Sequence, residues 1–165
     1  MNLIYLSLGS NLGDREMHLN EAKELIQTRI AVLEEVSGTY ESGAWGYSSE
    51  NRYYNCCISL HTSLPPLRLM DQILEIEQEM GRQRTGRGYN DRIIDIDLLF
   101  YGDWKLDHPR LTIPHPAIGE RRFVLVPMAE IAPGLVHPVN QRTMVQMLRS
   151  CSDSSVVTPL VSGSL

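Results

Sequence analysis

Two aspartates, Asp95 and Asp97, stand two residues apart in the run Arg92-Ile93-Ile94-Asp95-Ile96-Asp97-Leu98-Leu99-Phe100-Tyr101. Its β-branched and aromatic content predicts a buried strand. Positions i and i+2 of a strand leave the same face, with Cα atoms roughly 6.6 Å apart. Two ionised carboxylates that close inside an apolar run repel each other and resist desolvation. A divalent cation, or two, held between them relieves both costs, and hard oxygen donors point to Mg²⁺. The competing explanation is a charged edge strand that blunts aggregation.

The residues around this pair sharpen the chemistry. Arg82, Arg84, Arg87 and Arg92 fall in one segment that leads directly into the strand, and Gly86 and Gly88 loosen it. Arginine forks can clamp a polyphosphate and neutralise charge that develops during transfer, whereas a solvated basic loop is the plainer account. Gly9-Ser10-Asn11-Leu12-Gly13-Asp14 could cradle a phosphate, but it has neither the Walker nor the dinucleotide spacing and reads as readily as a tight strand-to-helix turn. Glu77 falls on the apolar side of a helix and needs a partner, either a structural arginine or a ligand. Pro114-His115-Pro116 holds a histidine in extended backbone near Arg110 and Arg121. Tyr53 and Asn55 share a strand face, so an aromatic platform and an amide could meet a flat heterocycle; core packing is the alternative for both and for Phe123.

These groups need a scaffold. At 165 residues the chain suits one well-buried domain, taken as 1–151 with a mobile tail at 152–165. A net charge of −5 argues against a general nucleic-acid or membrane-surface binder. Residues 82–122 nevertheless hold eight basic residues against six acids, a net of +2, which leaves −7 for the remainder. Adjacent Cys56 and Cys57 point to opposite strand faces and lack metal-ligand spacing, so they read as small buried apolar residues in a reducing compartment. With no leader or long apolar run at the amino terminus, a cytoplasmic protein is expected.

Periodicity predicts a strand over Asn2 to Leu8 and a helix from the N-cap Asp14 to about Arg29. Strands near Val32–Ser42 and Tyr53–Thr62 follow, then a helix opened by Pro65-Pro66 and closed by Gly81. The helix should face the core through Met70, Ile73, Leu74, Glu77 and Met80. After the aspartate strand the chain reads as irregular, with short helices near Arg121–Ile131 and Thr143–Ser150. The order β-α-β-β-α-β predicts an α+β, ferredoxin-like sandwich with two helices on one face of an antiparallel sheet, plus C-terminal additions.

With these pieces in place, the chain resembles the 6-hydroxymethyl-7,8-dihydropterin pyrophosphokinase family from residue 3 to about 138. The matching segments are Leu8-Gly9-Ser10-Asn11-Leu12-Gly13, Tyr53-Tyr54-Asn55, Ile76-Glu77 with Gly81-Arg82-Gln83-Arg84, the Arg92–Gly102 run, Leu111-Thr112-Ile113-Pro114-His115-Pro116, and the stretch from Arg121 to Pro133. The resemblance implies transfer of pyrophosphate from ATP to the pterin hydroxymethyl oxygen in folate biosynthesis. It implies that Asp95 and Asp97 hold two Mg²⁺ ions and that Glu77, Arg82, Arg84, Arg92, Arg110, Thr112, His115 and Arg121 face the nucleotide. Arg82 and Arg92 join the two aspartates as catalytic residues. The pterin would stack between Tyr53 and Phe123, with Asn55, Ser42 and Trp45 around its edge, and Arg87 and Tyr89 would take part in loop closure. The family usually carries Thr-Pro where this chain has Ser42-Gly43-Ala44-Trp45-Gly46. It has Arg-Trp and a later Pro where this chain has Gly88-Tyr89 and Asp91.

Two rivals remain at this point. A non-catalytic ferredoxin-like module would bind nucleotide without turnover, although paired acids are superfluous for that task. A nucleotidyltransferase would release pyrophosphate, but its acids follow the Gly-Ser closely, unlike the wide gap here. A monomer acting on small molecules, without nucleic acid or membrane, is expected.

Overall fold

The structure, a computed structural model, describes residues 1–82 and 89–161. Strand β1 (Asn2–Ser10) lies at the centre of a sheet, antiparallel to β4 (Tyr53–Thr62) on one side and β5 (Asp95–Tyr101) on the other. Two short strands, β2 (Leu33–Val36) and β3 (Tyr40–Ser42), both pair with the far edge of β4. The expected single strand over 32–42 is therefore two. Between them the Ser37 hydroxyl accepts a hydrogen bond from Cys57 N at 2.9 Å, and Ser37 N donates to Cys57 O at 2.9 Å. A side chain thus takes over one rung of the ladder and interrupts it.

Helices α1 (Arg15–Arg29) and α2 (Pro66–Glu79) cover one sheet face. Asp14 caps α1 as expected, accepting from Met17 N at 3.1 Å. Gly81, with φ +91°, takes the left-handed position just past α2. The buried side of α2 is Leu69, Ile73, Ile76 and Glu77, rotated from the expected face, with Met70, Leu74 and Met80 only partly covered. The core on this face joins Ile4, Leu6 and Leu8 to Ile58, Leu60, Ile96 and Leu98.

The opposite face is not bare. Helices α3 (Arg122–Ile131) and α4 (Met144–Arg149) pack there on Tyr5, Cys57, Leu99 and Phe100. They cover only part of that face, and the rest carries the site. In β5 the register against β1 slips between Tyr5 and Leu6, so that Leu98 faces Leu6 while Phe100 faces Tyr5. Leu99 is the extra residue of a bulge. The strand begins at Asp95 rather than Arg92, because Arg92 is held instead by Asn11: Arg92 N donates to Asn11 Oδ1 at 2.8 Å and Asn11 N to Arg92 O at 3.1 Å.

The stretch after Gly102, expected as irregular, contains a hairpin of β6 (Leu106–His108) and β7 (Leu111–Ile113), with Pro109-Arg110 at its turn. Residues from 152, expected as a mobile tail, run along the body of the protein as far as β8 (Thr158–Pro159), which pairs with β3.

Candidate active site

Strand register builds the site. Asp95 lies opposite Gly9 and Asp97 opposite Ser7, while Gly9 lies opposite Asn55 and Ser7 opposite Cys57. With strands about 4.8 Å apart, Asp95 and Asn55 stand roughly 10 Å apart, with only Gly9 between them. A Cβ on Gly9 would come within 3.2 Å of Asn55 Oδ1 and 3.5 Å of Tyr53 Cδ1. The missing side chain is thus the floor of a recess. Ser7, Gly9, Ser42, Gly43, Trp45, Tyr47, Tyr53, Asn55, Tyr89, Arg92, Asp95, Asp97, Arg121 and Phe123 line it. Ten of the expected site residues fall in this one cavity. Ser7, Gly43 and Tyr47 lie outside the expected set, and Gly9, expected in a turn, is a strand residue here; the two-residue alternation of Ser7 and Gly9 with Leu6 and Leu8 is the available signal.

The recess as it stands holds about 40 Å³. That is room for a few waters at most and not for a bicyclic ring. Its mouth is filled: the Tyr89 ring lies edge-on to Trp45 at 5.6 Å and parallel to Tyr47 at 6.5 Å. The Arg121 guanidinium sits over Trp45 at 4.5 Å. Asn55 is buried, and its amide donates to Ser42 Oγ at 2.8 Å. An alanine at Gly9 should fill the floor, raising the KM of a ring-shaped acceptor about tenfold with little change in melting temperature. Steady-state kinetics with each substrate varied checks this.

Both aspartates are flanked by arginines. Asp95 accepts from Arg82 at 3.1 Å and pairs with Arg92 at 3.4 Å. Asp97 pairs with Arg121 at 3.3 Å. Burial, and then the charge of Asp95, pushes Asp97 well above the usual carboxylate range even so. The arginines therefore do not offset the cost of burying the Asp97 charge beside Asp95. Arg121 is 8% exposed, and among the described residues nothing accepts from its Nε. A buried donor left this way suits a site built for an anion.

Glu77 sits below the pair, 2% exposed. Its Oε2 accepts from Ile96 N at 2.9 Å and from Arg82 at 2.5 Å, so it holds the start of β5 and one arginine in place. Arg84 and Arg87 lie outside the described residues.

A second groove of about 300 Å³ runs along Met70, Ile96, Asp97, Leu98, His108, Arg110, Leu111, Thr112 and His115. Asp97 is the wall it shares with the recess. Arg110, at its exposed lip, pairs with Asp71. Burial, then the neighbouring Arg121 charge, pushes His115 down to about 4. Its Nδ1 accepts from Ala117 N at 3.1 Å, which leaves Nε2–H as the donor. Native His115 should stay neutral down to about pH 4. An unfolded histidine titrates near 6.5, so the unfolded chain binds the extra proton first. The stability from neutral His115 is thus complete above about pH 6.5 and is lost as pH falls towards 4. Imidazole nitrogen NMR reads the titration directly, and a midpoint near 6.5 would refute it.

Paired carboxylates, clustered arginines and an aromatic recess, set on one open face of an antiparallel sheet, define a small-molecule site of the phosphate-handling kind on an α/β scaffold. The chain belongs to the family described as 7,8-dihydro-6-hydroxymethylpterin-pyrophosphokinase (HPPK), which matches residues 5–133. Among curated proteins it is 41% identical over 141 residues to the 2-amino-4-hydroxy-6-hydroxymethyldihydropteridine pyrophosphokinase of Porphyromonas gingivalis, covering 84% of this chain and 95% of that one. It is 40% identical over 159 residues to the enzyme of that name from Synechocystis, covering 96% and 80%. Among solved structures, a Plasmodium falciparum HPPK-DHPS with pteroate superposes with a TM-score of 0.74 at 15% identity, over 90% of this chain and 44% of that one. That likeness concerns the fold, and this chain spans less than half of that structure's length.

Proposed function

We propose that this protein transfers the β,γ-pyrophosphoryl group of ATP to the hydroxymethyl oxygen of 6-hydroxymethyl-7,8-dihydropterin, releasing AMP in folate biosynthesis. One observation carries the reading: Asp97 is shared between an aromatic recess and a groove lined by Arg110, Thr112 and His115, so an acceptor and a nucleotide would meet at the carboxylate pair.

In this reading the pterin stacks between Tyr53 and Phe123, with Asn55 and Ser42 reading its polar edge and Trp45 beside it. The triphosphate lies across Arg82, Arg84, Arg92 and Arg121, with Arg110, Thr112 and His115 along the nucleotide side, and Glu77 acts by fixing Arg82. The acceptor oxygen bonds to the β-phosphorus, the bond from that phosphorus to the α,β-bridging oxygen breaks, and AMP leaves with that oxygen. The hydroxyl proton passes to solvent or to one of the carboxylates. Transfer of this kind depends on positioning and charge neutralisation more than on covalent catalysis.

Asp95 and Asp97 fit two Mg²⁺ ions. Two side-by-side carboxylates, one of them costly to keep charged where it is buried, suit a hard cation, and among the described residues no group of three His, Cys, Asp or Glu surrounds one, so phosphate oxygens and water would complete the shell. Bound there, the ions would neutralise charge on the phosphates. Tyr89 withdraws from the recess to admit the pterin and returns to exclude water, a closure to which we also assign Arg87. The remaining architecture fits a ferredoxin-like domain over 1–151, supported by the order β5-β1-β4-β3, with α3 and α4 as additions. Among the described residues no helix is long and apolar enough to cross a membrane, and we take the protein to be a cytoplasmic monomer.

The test is product identity. With ATP, Mg²⁺ and the hydroxymethyl pterin, AMP should appear in step with pterin diphosphate. ADP with a pterin monophosphate, or free pyrophosphate, would overturn the reading.

A further inference from the structure

Helix α3 carries two walls of the recess in its first turn, Arg121 at the N-cap position and Phe123 two residues on. Most helices satisfy their first free N–H groups with a Ser, Thr, Asp or Asn at that position. Here the position holds an arginine, which can only donate, and its guanidinium is committed to the site. It pairs with Asp97 at 3.3 Å, donates to Tyr89 Oη at 3.4 Å and lies over Trp45 at 4.5 Å. No side chain of the helix's own N-cap bonds back to it. A cation there also opposes the helix dipole.

The cap comes from 31 residues downstream. Asp153 Oδ2 accepts from Arg122 N at 3.1 Å, and its other oxygen accepts from Ser155 N at 2.9 Å. The bonds from Ser155 and Arg122, together with the Arg122 charge, outweigh burial and hold the Asp153 carboxyl below its ordinary range, as expected for an anion at a helix N-terminus. The same segment then reaches the other side of the recess. Thr158 pairs with Glu41 and Pro159 with Tyr40 in β3, and Leu160 N donates to Thr39 O at 2.9 Å. Strand β3 ends at Ser42, whose hydroxyl holds the buried Asn55 amide. All of this lies beyond residue 133, where the family match ends.

We propose that residues 151–160 are a brace that positions both walls of the acceptor recess, with Asp153 as its positioning residue. The logic is substitution: committing Arg121 to ligand chemistry removes the local cap, and a carboxylate from the C-terminal segment replaces it. This rests on the reading of the recess as the pterin side of the reaction.

The experiment compares Asp153→Ala and Asp153→Asn in the full chain, measuring kcat and KM for each substrate from AMP release. Asparagine keeps one oxygen to cap Arg122 N, though not a second for Ser155 N, so it should restore the cap that alanine loses. Asp153→Ala should raise the KM of the hydroxymethyl pterin about fivefold, with the KM of ATP within about twofold of wild type and Asp153→Asn near wild type. An unchanged pterin KM in Asp153→Ala, whatever its melting temperature, overturns the brace. So does an equal rise in both KM values, or an asparagine variant that behaves like alanine. If the wild type releases no AMP, the proposed function fails instead. Calorimetric titration with the hydroxymethyl pterin then decides the brace: weaker binding to Asp153→Ala supports it, and equal binding or none to the wild type overturns it.

Discussion

Asp97→Asn is expected to lower the rate of AMP formation by about 10²- to 10³-fold while the protein still melts in one cooperative transition. The size follows from removing one pre-positioned charge at the point where phosphate charge must be stabilised, a loss of roughly 2.7–4 kcal/mol of barrier lowering. Asparagine is the informative replacement. It keeps the volume and an oxygen that can accept from Arg121, which otherwise becomes a buried cation without its partner at 3.3 Å. The folding cost is therefore small and the chemical cost large. Asp97 also walls both the recess and the groove, so its replacement should act on turnover more than on the KM of either substrate alone. The measurement is initial-rate AMP release at saturating Mg²⁺, beside a thermal melt. Turnover within about threefold of wild type would remove Asp97 from the mechanism.

The largest loss of stability is expected at Glu77. Alanine there leaves Ile96 N at the head of β5 without its acceptor and the partly buried Arg82 guanidinium with Asp95 in place of two carboxylates. Breaking a buried charge pair by removing one partner costs about 3–5 kcal/mol. For a chain of this size that shifts the urea midpoint downward by roughly 2 M. Glutamine should recover part of the loss, because it still offers an oxygen to Ile96 N but no charge to Arg82. Urea titrations of the two variants separate these contributions, and a midpoint shift below about 0.5 M in Glu77→Ala would contradict the structural role. Activity should fall alongside stability, since both Asp95 and Arg82 are anchored through this carboxylate.

Much of this was visible in the residue pattern because it rests on local rules. Asp14 as a cap, Pro66 in a first turn and Gly81 past a helix end are short-range signals, and α1 and α2 follow them to within a residue or two. The Asp95–Asp97 pairing followed from strand alternation alone. What eluded the pattern was set by distant partners. Ser37 breaks the expected 32–42 strand because its hydroxyl reaches Cys57 on β4. Hairpin β6–β7 was obscured by Pro109, which reads as a breaker but occupies the turn. The face of α2 was misjudged because Met70 and Met80 are as apolar as Leu69 and Ile76; only the sheet decides which are covered. In the site, Glu77 could equally have met a ligand or an arginine, and its burial below β5 favours the arginine. Gly9 was noticed as part of a turn, yet it lies in a strand, where its importance depends on Asn55 and Tyr53 across the sheet.

The bulge at Leu99 gives one strand two independent halves. Were Leu99 paired in line instead, a continuous register would put Phe100 opposite Ile4 and turn its ring to the other sheet face. With the bulge, Asp95 and Asp97 look into the open part of the face while Leu99 and Phe100 both serve the core under α3. The carboxylate end and the packing end can then vary separately through mutation: a change of side chain at Phe100 is felt by the helices, and a change at Asp97 by the recess. Removing Leu99 would join the halves in one regular ladder, with Leu98 still opposite Leu6 and Phe100 opposite Tyr5. Such a deletion should leave the carboxylates facing their site and cost the core only the Leu99 side chain.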